Sequence, residues 1–321
     1  MLKTIILLIL ALVGLPLVAY FLDPSLSETQ WHLIKVGGGS AVIVATICFV
    51  LAELTGNCSQ VDKIWSVVPI IYVWEYAHLT HYHPRFVLMA IMVTLWGARL
   101  TYNFSRRGAY SWKFWSGEED YRWEVLRKMP MFNKRWKWTL FNLFFISFYQ
   151  NILIWLITVP AIYAHKSSIA PLEATDYIIA GILLFFLIVE TIADQQQWNF
   201  QKEKHRRIRA GANTELPYSR GFAHTGLWKL LRHPNYACEQ AIWITFFFFS
   251  GSGSGNWLNG SLVGVVLLVL LFQGSADFSE GISNSKYESY KDYIKSTPRF
   301  FPKFGNYINF LKIFAIHSFP L

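Results

Sequence analysis

The stretch Leu231-Arg232-His233-Pro234-Asn235-Tyr236-Ala237-Cys238-Glu239-Gln240-Ala241 runs straight into Ile242-Trp243-Ile244-Thr245-Phe246-Phe247-Phe248-Phe249. A basic pair, an asparagine and a glutamate therefore stand at the mouth of an apolar segment. Proline fits the first turn of a helix, where its missing N–H has no partner to lose, so Pro234 predicts a helix opening at His233. The unpaired N–H groups of such a terminus favour anions. On that helix Asn235 and Glu239 lie four residues apart and share one face. Arg232, His233 and the terminus suit a phosphate, while the Asn235/Glu239 face suits an amide or hydroxyl group. The expectation is a nucleotide cofactor site built into a membrane.

Composition agrees with the membrane. The chain is 53% hydrophobic and 17% aromatic with only 15% charged residues, where a soluble domain of this size carries about a quarter. The apolar residues also come in long blocks, which predicts an all-α, polytopic transmembrane helical bundle of about 7–8 spans in a single domain over 1–321. Candidate spans are 3–22, 37–54, 64–77, 86–104, 138–160, 176–198, 236–250 and 258–276. The third and seventh are short, so they are expected to tilt, break or pack inside the bundle. A last apolar stretch, 304–319, reads as interfacial.

The net charge of +9 is concentrated in 105–137, 202–232 and 286–303. With eight spans these segments and both termini share one side, which the positive-inside rule makes cytoplasmic. Because the charges flank apolar spans, topology accounts for them and no nucleic-acid partner is implied. Met1-Leu2-Lys3 and the run behind it read as a first span, since no small-residue cleavage pattern follows Leu22-Asp23-Pro24. Cys48, Cys58 and Cys238 have no paired spacing, so neither a disulfide framework nor zinc is indicated. Ser250-Gly251-Ser252-Gly253-Ser254-Gly255 predicts a flexible turn.

Ionisable groups inside apolar spans are expensive and tend to face a cavity or a partner. Glu190 and Asp194 stand one turn apart on the sixth span; such a stripe glues helices together, or Asp194 accepts hydrogen bonds from a polar ligand. Asp62, in Gln60-Val61-Asp62-Lys63-Ile64-Trp65-Ser66, pairs with Lys63, caps a helix, or donates a proton beside a pocket. Arg99 lies in Leu95-Trp96-Gly97-Ala98-Arg99-Leu100-Thr101-Tyr102-Asn103, ahead of Arg106-Arg107, and either snorkels to head groups or meets a phosphate. Tyr287, Tyr290 and Tyr293 recur at three-residue spacing, predicting a helix against the bundle, and Lys286 beside them is placed to close over a cofactor phosphate. His78, His81 and His83 have no nearby carboxylate or cysteine to complete a metal site.

These residues resemble a known family. Gly226-Leu227-Trp228 through Glu239 is similar to the C-terminal signature of membrane steroid 5-alpha-reductases and of the related DUF1295 proteins, with the cofactor-site signature at 190–300. The DUF1295 branch resembles more of the chain: Gln60 to Ser66, Trp96-Gly97-Ala98-Arg99-Leu100, Glu119-Asp120-Tyr121-Arg122-Trp123, Ala193-Asp194-Gln195-Gln196 and Lys286-Tyr287. The Arg-His-Pro core also resembles isoprenylcysteine carboxyl methyltransferases, which use it for S-adenosylmethionine. Asn235 and Glu239 turn the comparison toward the reductases.

The resemblance implies NADPH entering from the cytoplasmic side, with hydride transfer to the β-carbon of an enone and protonation of its neighbour. It maps cofactor contacts onto Arg99, Asp194, Asn235 and Glu239, with Arg232, His233 and Tyr236 beside them, and the acid onto Asp62. Two departures stand out: Trp96 replaces a tyrosine that assists the acid in the steroid enzymes, and Cys238 replaces a common glycine, which bears on packing. The expected activity is a membrane NADPH-dependent reductase of a lipophilic unsaturated carbonyl or sterol-like substrate drawn from the bilayer. A methyltransferase using S-adenosylmethionine and a non-catalytic accessory subunit are the alternatives. The expected location is the endoplasmic reticulum or a bacterial inner membrane.

Overall fold

The computed structural model describes residues 2–23, 26–113, 117–165, 171–212 and 216–302; the stretch 304–319 lies outside them. The described residues are helical and contain no strand. In chain order the helices are α1 (Leu2–Leu22), α2 (Glu28–Thr55), α3 (Gln60–Ile64), α4 (Val68–Leu79), α5 (Pro84–Ser105), α6 (Tyr121–Arg127) and α7 (Arg135–Phe141). There follow α8 (Gln150–Leu156), α9 (Val159–Tyr163), α10 (Ala174–Arg209), α11 (Leu227–Leu230), α12 (Pro234–Ser254), α13 (Leu262–Lys286) and α14 (Tyr290–Ser296). Among the described residues, five stretches are long and apolar enough to cross a membrane: Glu28–Thr55, Pro84–Ser105, Arg135–Tyr163, Ala174–Arg209 and Leu262–Lys286. They fit a membrane-embedded protein.

Local chemistry sets the helix ends. Ser27 Oγ accepts from Gln30 N at 3.2 Å while Gln30 Oε1 takes Ser27 N–H at 2.9 Å, a reciprocal cap that opens α2. Gly56 ends α2 in the left-handed conformation (φ 70°), which only glycine adopts without steric penalty. His83 caps α5 ahead of Pro84, its Nδ1 accepting from Arg85 N at 3.3 Å. Between α7 and α8 the backbone widens into a π-helix over Asn142–Tyr149. On one side of it Phe141, Phe145 and Tyr149 stack four residues apart, at 5.2 and 5.3 Å between centroids.

The predicted third span is short, as expected: α4 has 12 residues. The seventh is not. Helix α12 runs for 21 residues, because the Ser-Gly run forms its last turns instead of a flexible turn. Small residues permit close approach: a Cβ on Gly253 would meet the Ala164 carbonyl oxygen at 2.3 Å. The hydroxyls then find buried partners, with Ser252 Oγ donating to Asp176 Oδ1 at 2.8 Å and Asn259 Nδ2 donating to Ser250 Oγ at 2.9 Å. The helix stops at Gly255, at φ 79°.

The chain clusters into two compact units, one comprising residues up to Leu183 with Trp243–Leu270, the other Leu184–Ile242 with the residues from Leu271 onward. The boundaries fall inside α10, α12 and α13. In the first unit Arg85 and Asp176 form a bidentate pair, Nε–Oδ1 and Nη2–Oδ2 both at 2.9 Å, with side chains 1% and 0% exposed. Glu173 N–H and Ser252 Oγ also donate to that carboxylate. Buried charges persist where each is matched and further hydrogen bonds satisfy what remains. In the second unit Val189, Ala193, Leu227, Leu230 and Cys238 form a small core, so the cysteine that departs from the common glycine is a packing residue.

Candidate functional site

In the second unit the signature residues are held to α10 and to the stretch after α14 by separate devices. Gly226 adopts φ 60° with ψ −131°, and a Cβ there would meet Gln196 Oε1 at 2.6 Å. That oxygen takes Leu227 N–H at 2.9 Å, and Trp228 Nε1 donates to the Ala193 carbonyl at 3.0 Å. Gly226-Leu227-Trp228 therefore ties its loop to the turn of α10 that carries Asp194. Next, Arg232 N–H donates to the Pro298 carbonyl at 2.9 Å and His233 N–H to the Arg299 carbonyl at 3.3 Å. Helix α12 starts at Pro234, one residue after the opening predicted at His233.

Asn235 Nδ2 donates to Asp194 Oδ1 at 3.1 Å, joining α12 to α10. Glu239 is buried one turn further on, and Asp194 is buried as well. Asn235 Oδ1 also takes Tyr236 N–H at 3.0 Å. With His233 N–H committed and Pro234 lacking one, the helix entry offers fewer backbone donors to an anion than its sequence promised.

A second cluster surrounds Glu280 on α13. Arg232 Nε donates to Glu280 Oε1 at 2.9 Å and its Nη2 to Oε2 at 3.2 Å. Its Nη1 donates to the carbonyls of Ile294, at 3.1 Å, and Thr297. Arg299 Nη2 reaches Glu280 Oε2 at 2.8 Å, and its Nη1 reaches Asp277 Oδ1 at 2.7 Å. His233 Nε2 lies 2.9 Å from Glu280 Oε1, its ring stacked on Tyr236 at 5.2 Å and 14°. Tyr236 in turn meets Phe272 edge-on at 4.9 Å. The Tyr293 hydroxyl donates to the Trp228 carbonyl, and desolvation by burial pushes that phenol's pKa up. Phe222 packs against Tyr290 and Tyr293 of α14, at 4.9 and 5.2 Å. Lys286, exposed at the end of α13, places its ammonium 5.5 Å from the Tyr287 ring.

In the first unit two motifs about sixty residues apart in sequence are brought together. Trp123 Nε1 donates to Asp62 Oδ2 at 2.8 Å, and Asp120 N–H donates to Ser59 Oγ at 2.9 Å. Burial pushes the Asp62 carboxyl up from the usual aspartate range, although Arg122 opposes the shift. Burial also works on Asp120, but the Arg122 guanidinium, 2.8 Å away, outweighs it and holds that carboxyl low. Asp120 caps α6 by accepting Arg122 N–H at 2.9 Å. Thus Arg122 and Trp123 are neighbours of Asp62 to which the sequence assigns no role; the spacing of an acidic cap before Arg-Trp is the available signal.

Arg99 sits on α5 in this unit, half-buried, one turn beyond Trp96. Trp96 is itself buried and packs edge-on against Trp243 at 4.9 Å and 79°. His83 serves as a helix cap, and among the described residues no three His, Cys, Asp or Glu side chains gather as a metal would require. No disulfide joins the buried Cys48, Cys58 and Cys238.

The motifs in contact here are the ones a family profile spans: the one described as "Protein of unknown function (DUF1295)" matches residues 48–297. The chain belongs to the DUF1295 family. Within the curated proteins, an uncharacterized protein of Schizosaccharomyces pombe is 33% identical over 276 residues, covering 81% of this chain and 77% of its own length. No solved structure matches this DUF1295 protein.

Proposed function

We propose that this DUF1295 protein is a membrane-embedded, NADPH-dependent reductase of a lipophilic unsaturated carbonyl or sterol-like compound. The observation that carries the reading is the part-buried Asp194–Asn235 hydrogen bond, at 3.1 Å, on the helix face that also bears the buried Glu239. Carboxylates and an amide in that arrangement match ribose hydroxyls and a carboxamide, which need acceptors and one donor–acceptor group. The cationic half of the donor set fits differently from its sequence reading. All three guanidinium nitrogens of Arg232 are engaged by Glu280, Ile294 and Thr297, so Arg232 and His233 position the α12 entry. Phosphate charge falls to Lys286, with Arg99 assigned to the cofactor by resemblance alone.

Bound NADPH supplies a hydride to a carbon–carbon double bond conjugated to a carbonyl, and the reaction then needs one proton. Asp62 is the assigned proton source: its raised carboxyl keeps a proton to higher pH than an exposed aspartate. Trp123 donates to Oδ2 of that carboxyl, and Ser59 hydrogen-bonds the same group, which together orient it. Water restores the proton after each turnover. Trp96, locked against Trp243, has no acidic proton to contribute, so Asp62 acts without the tyrosine used in steroid enzymes. The endoplasmic reticulum or a bacterial inner membrane is the compartment proposed, because a bilayer substrate and an aqueous cofactor meet at such a surface.

Titration of NADPH into the purified protein in nanodiscs tests the reading. Asn235→Ala and Glu239→Ala are each expected to weaken binding about tenfold, or about 1.4 kcal/mol, by leaving buried polar groups unpaired. Wild-type protein without measurable affinity for NADPH overturns it. Binding of S-adenosylmethionine in its place supports the methyltransferase, and binding of neither supports an accessory subunit, to which the Trp96–Trp243 packing already lends weight.

A further inference from the structure

Two polar atoms deep in the first unit have no hydrogen-bond partner: the Tyr72 hydroxyl on α4 and the Asn151 side-chain carbonyl oxygen on α8. The two residues are 2% and 1% exposed. Native interiors rarely leave such atoms unpaired, and each instance calls for a ligand, an ion or an ordered water. Both belong to one neighbourhood. Asn151 is in hydrogen-bonding reach of the Cys48 thiol on α2, and Cys48 is also an electrostatic neighbour of Tyr72 and of Asp62.

The orientation of Asn151 is settled by the π-helix beside it. Its Nδ2 donates to the Ser147 carbonyl at 2.7 Å, so the carbonyl oxygen is the end left over. Tyr76, one turn from Tyr72, already accepts from Trp155 Nε1 at 3.1 Å and does not supply the missing contact. The site therefore presents a phenol able to donate and an amide oxygen able only to accept. A ketone would satisfy Tyr72 alone. A hydroxyl satisfies both, accepting from Tyr72 and donating to Asn151.

We infer that Tyr72 and Asn151 form a polar clasp for the hydroxyl group of a lipophilic alcohol lodged in the first unit. This deepens the proposed reduction, and it rests on that reading only in making the alcohol the substrate: the unsaturated compound would carry a hydroxyl besides its conjugated carbonyl. A buried water also bridges a donor and an acceptor, and the experiment separates the two.

Full-length protein in nanodiscs, without NADPH, is irradiated with a diazirine-bearing cholestanol or hexadecanol, each beside its methyl ether, and the adducts are mapped by mass spectrometry. At least one alcohol is expected to label α2, α4 or α8 about tenfold more than its ether, the ratio that one buried hydrogen bond sustains. Tyr72→Phe and Asn151→Leu should each bring the alcohol down to the ether's level. Equal labelling by alcohol and ether for both pairs overturns the clasp. So does undiminished alcohol labelling in folded Tyr72→Phe protein, the outcome if water fills the position. The alcohol–ether comparison on wild-type protein decides even if Asn151→Leu fails to fold. Because NADPH is absent, this result and the cofactor titration fail independently.

Discussion

Asp62 links a single side chain to the pH dependence of stability and, under the proposed function, to proton transfer. Its ordinary value is 3.8, and burial raises it in the folded protein. The folded state then holds the proton more tightly than the unfolded chain does, so the associated stability is complete at low pH. It is lost as pH climbs from the ordinary value through the raised one. Asp62→Asn cannot ionise, and thermal unfolding across that range is expected to show a flatter pH dependence in this variant than in the wild type. If Asp62 is the proton source, the same substitution should cut turnover by about 10²–10⁴ while leaving NADPH affinity intact. Gly226 makes a purely structural demand. Its φ is 60°, and an added methyl would stand 2.6 Å from Gln196 Oε1. Gly226→Ala is therefore expected to destabilise by about 1–3 kcal/mol, read as a lower melting temperature. Asn235, Glu239 and Asp194 are legible in the sequence because their types and spacing on an apolar background are unusual. The role of Arg232 is not, because its partner Glu280 lies 48 residues away and no local pattern pairs them.

Among the elements, positions are easier to read than endings. Apolar blocks locate the helices, while the Ser-Gly run deceives because small residues mark both loose turns and tight helix contacts. What decides between them is a neighbour such as the Ala164 backbone, absent from the local sequence. The π-helix over Asn142–Tyr149 is equally hidden, since its residues satisfy helical periodicity without revealing the widened ladder. Helices α5 and α10 are joined by Arg85 and Asp176, a pair 91 residues apart that no local pattern announces. Arg85→Met alone strands a buried carboxylate and is expected to lower stability by about 3–5 kcal/mol. Adding Asp176→Leu should recover most of that loss, as measured by unfolding in mixed detergent. A double variant no more stable than the single one would show that the hydrogen bonds from Glu173 and Ser252 matter more than the charge pairing.

At the scale of the whole molecule, the alternation of apolar spans with three basic segments sets the membrane class before any contact is known, and five long apolar helices among the described residues fit it. The division into two units is not visible there, because its boundaries cross α10, α12 and α13 where hydropathy is continuous. That placement has an evolutionary reach. Excising either half as a separate gene product would sever all three helices partway along, stranding four amides and four carbonyls at every cut. Such halves do not lend themselves to shuffling between genomes as modules. New specificities in this lineage are then expected to arise by substitution in place, with the residues of both units inherited together.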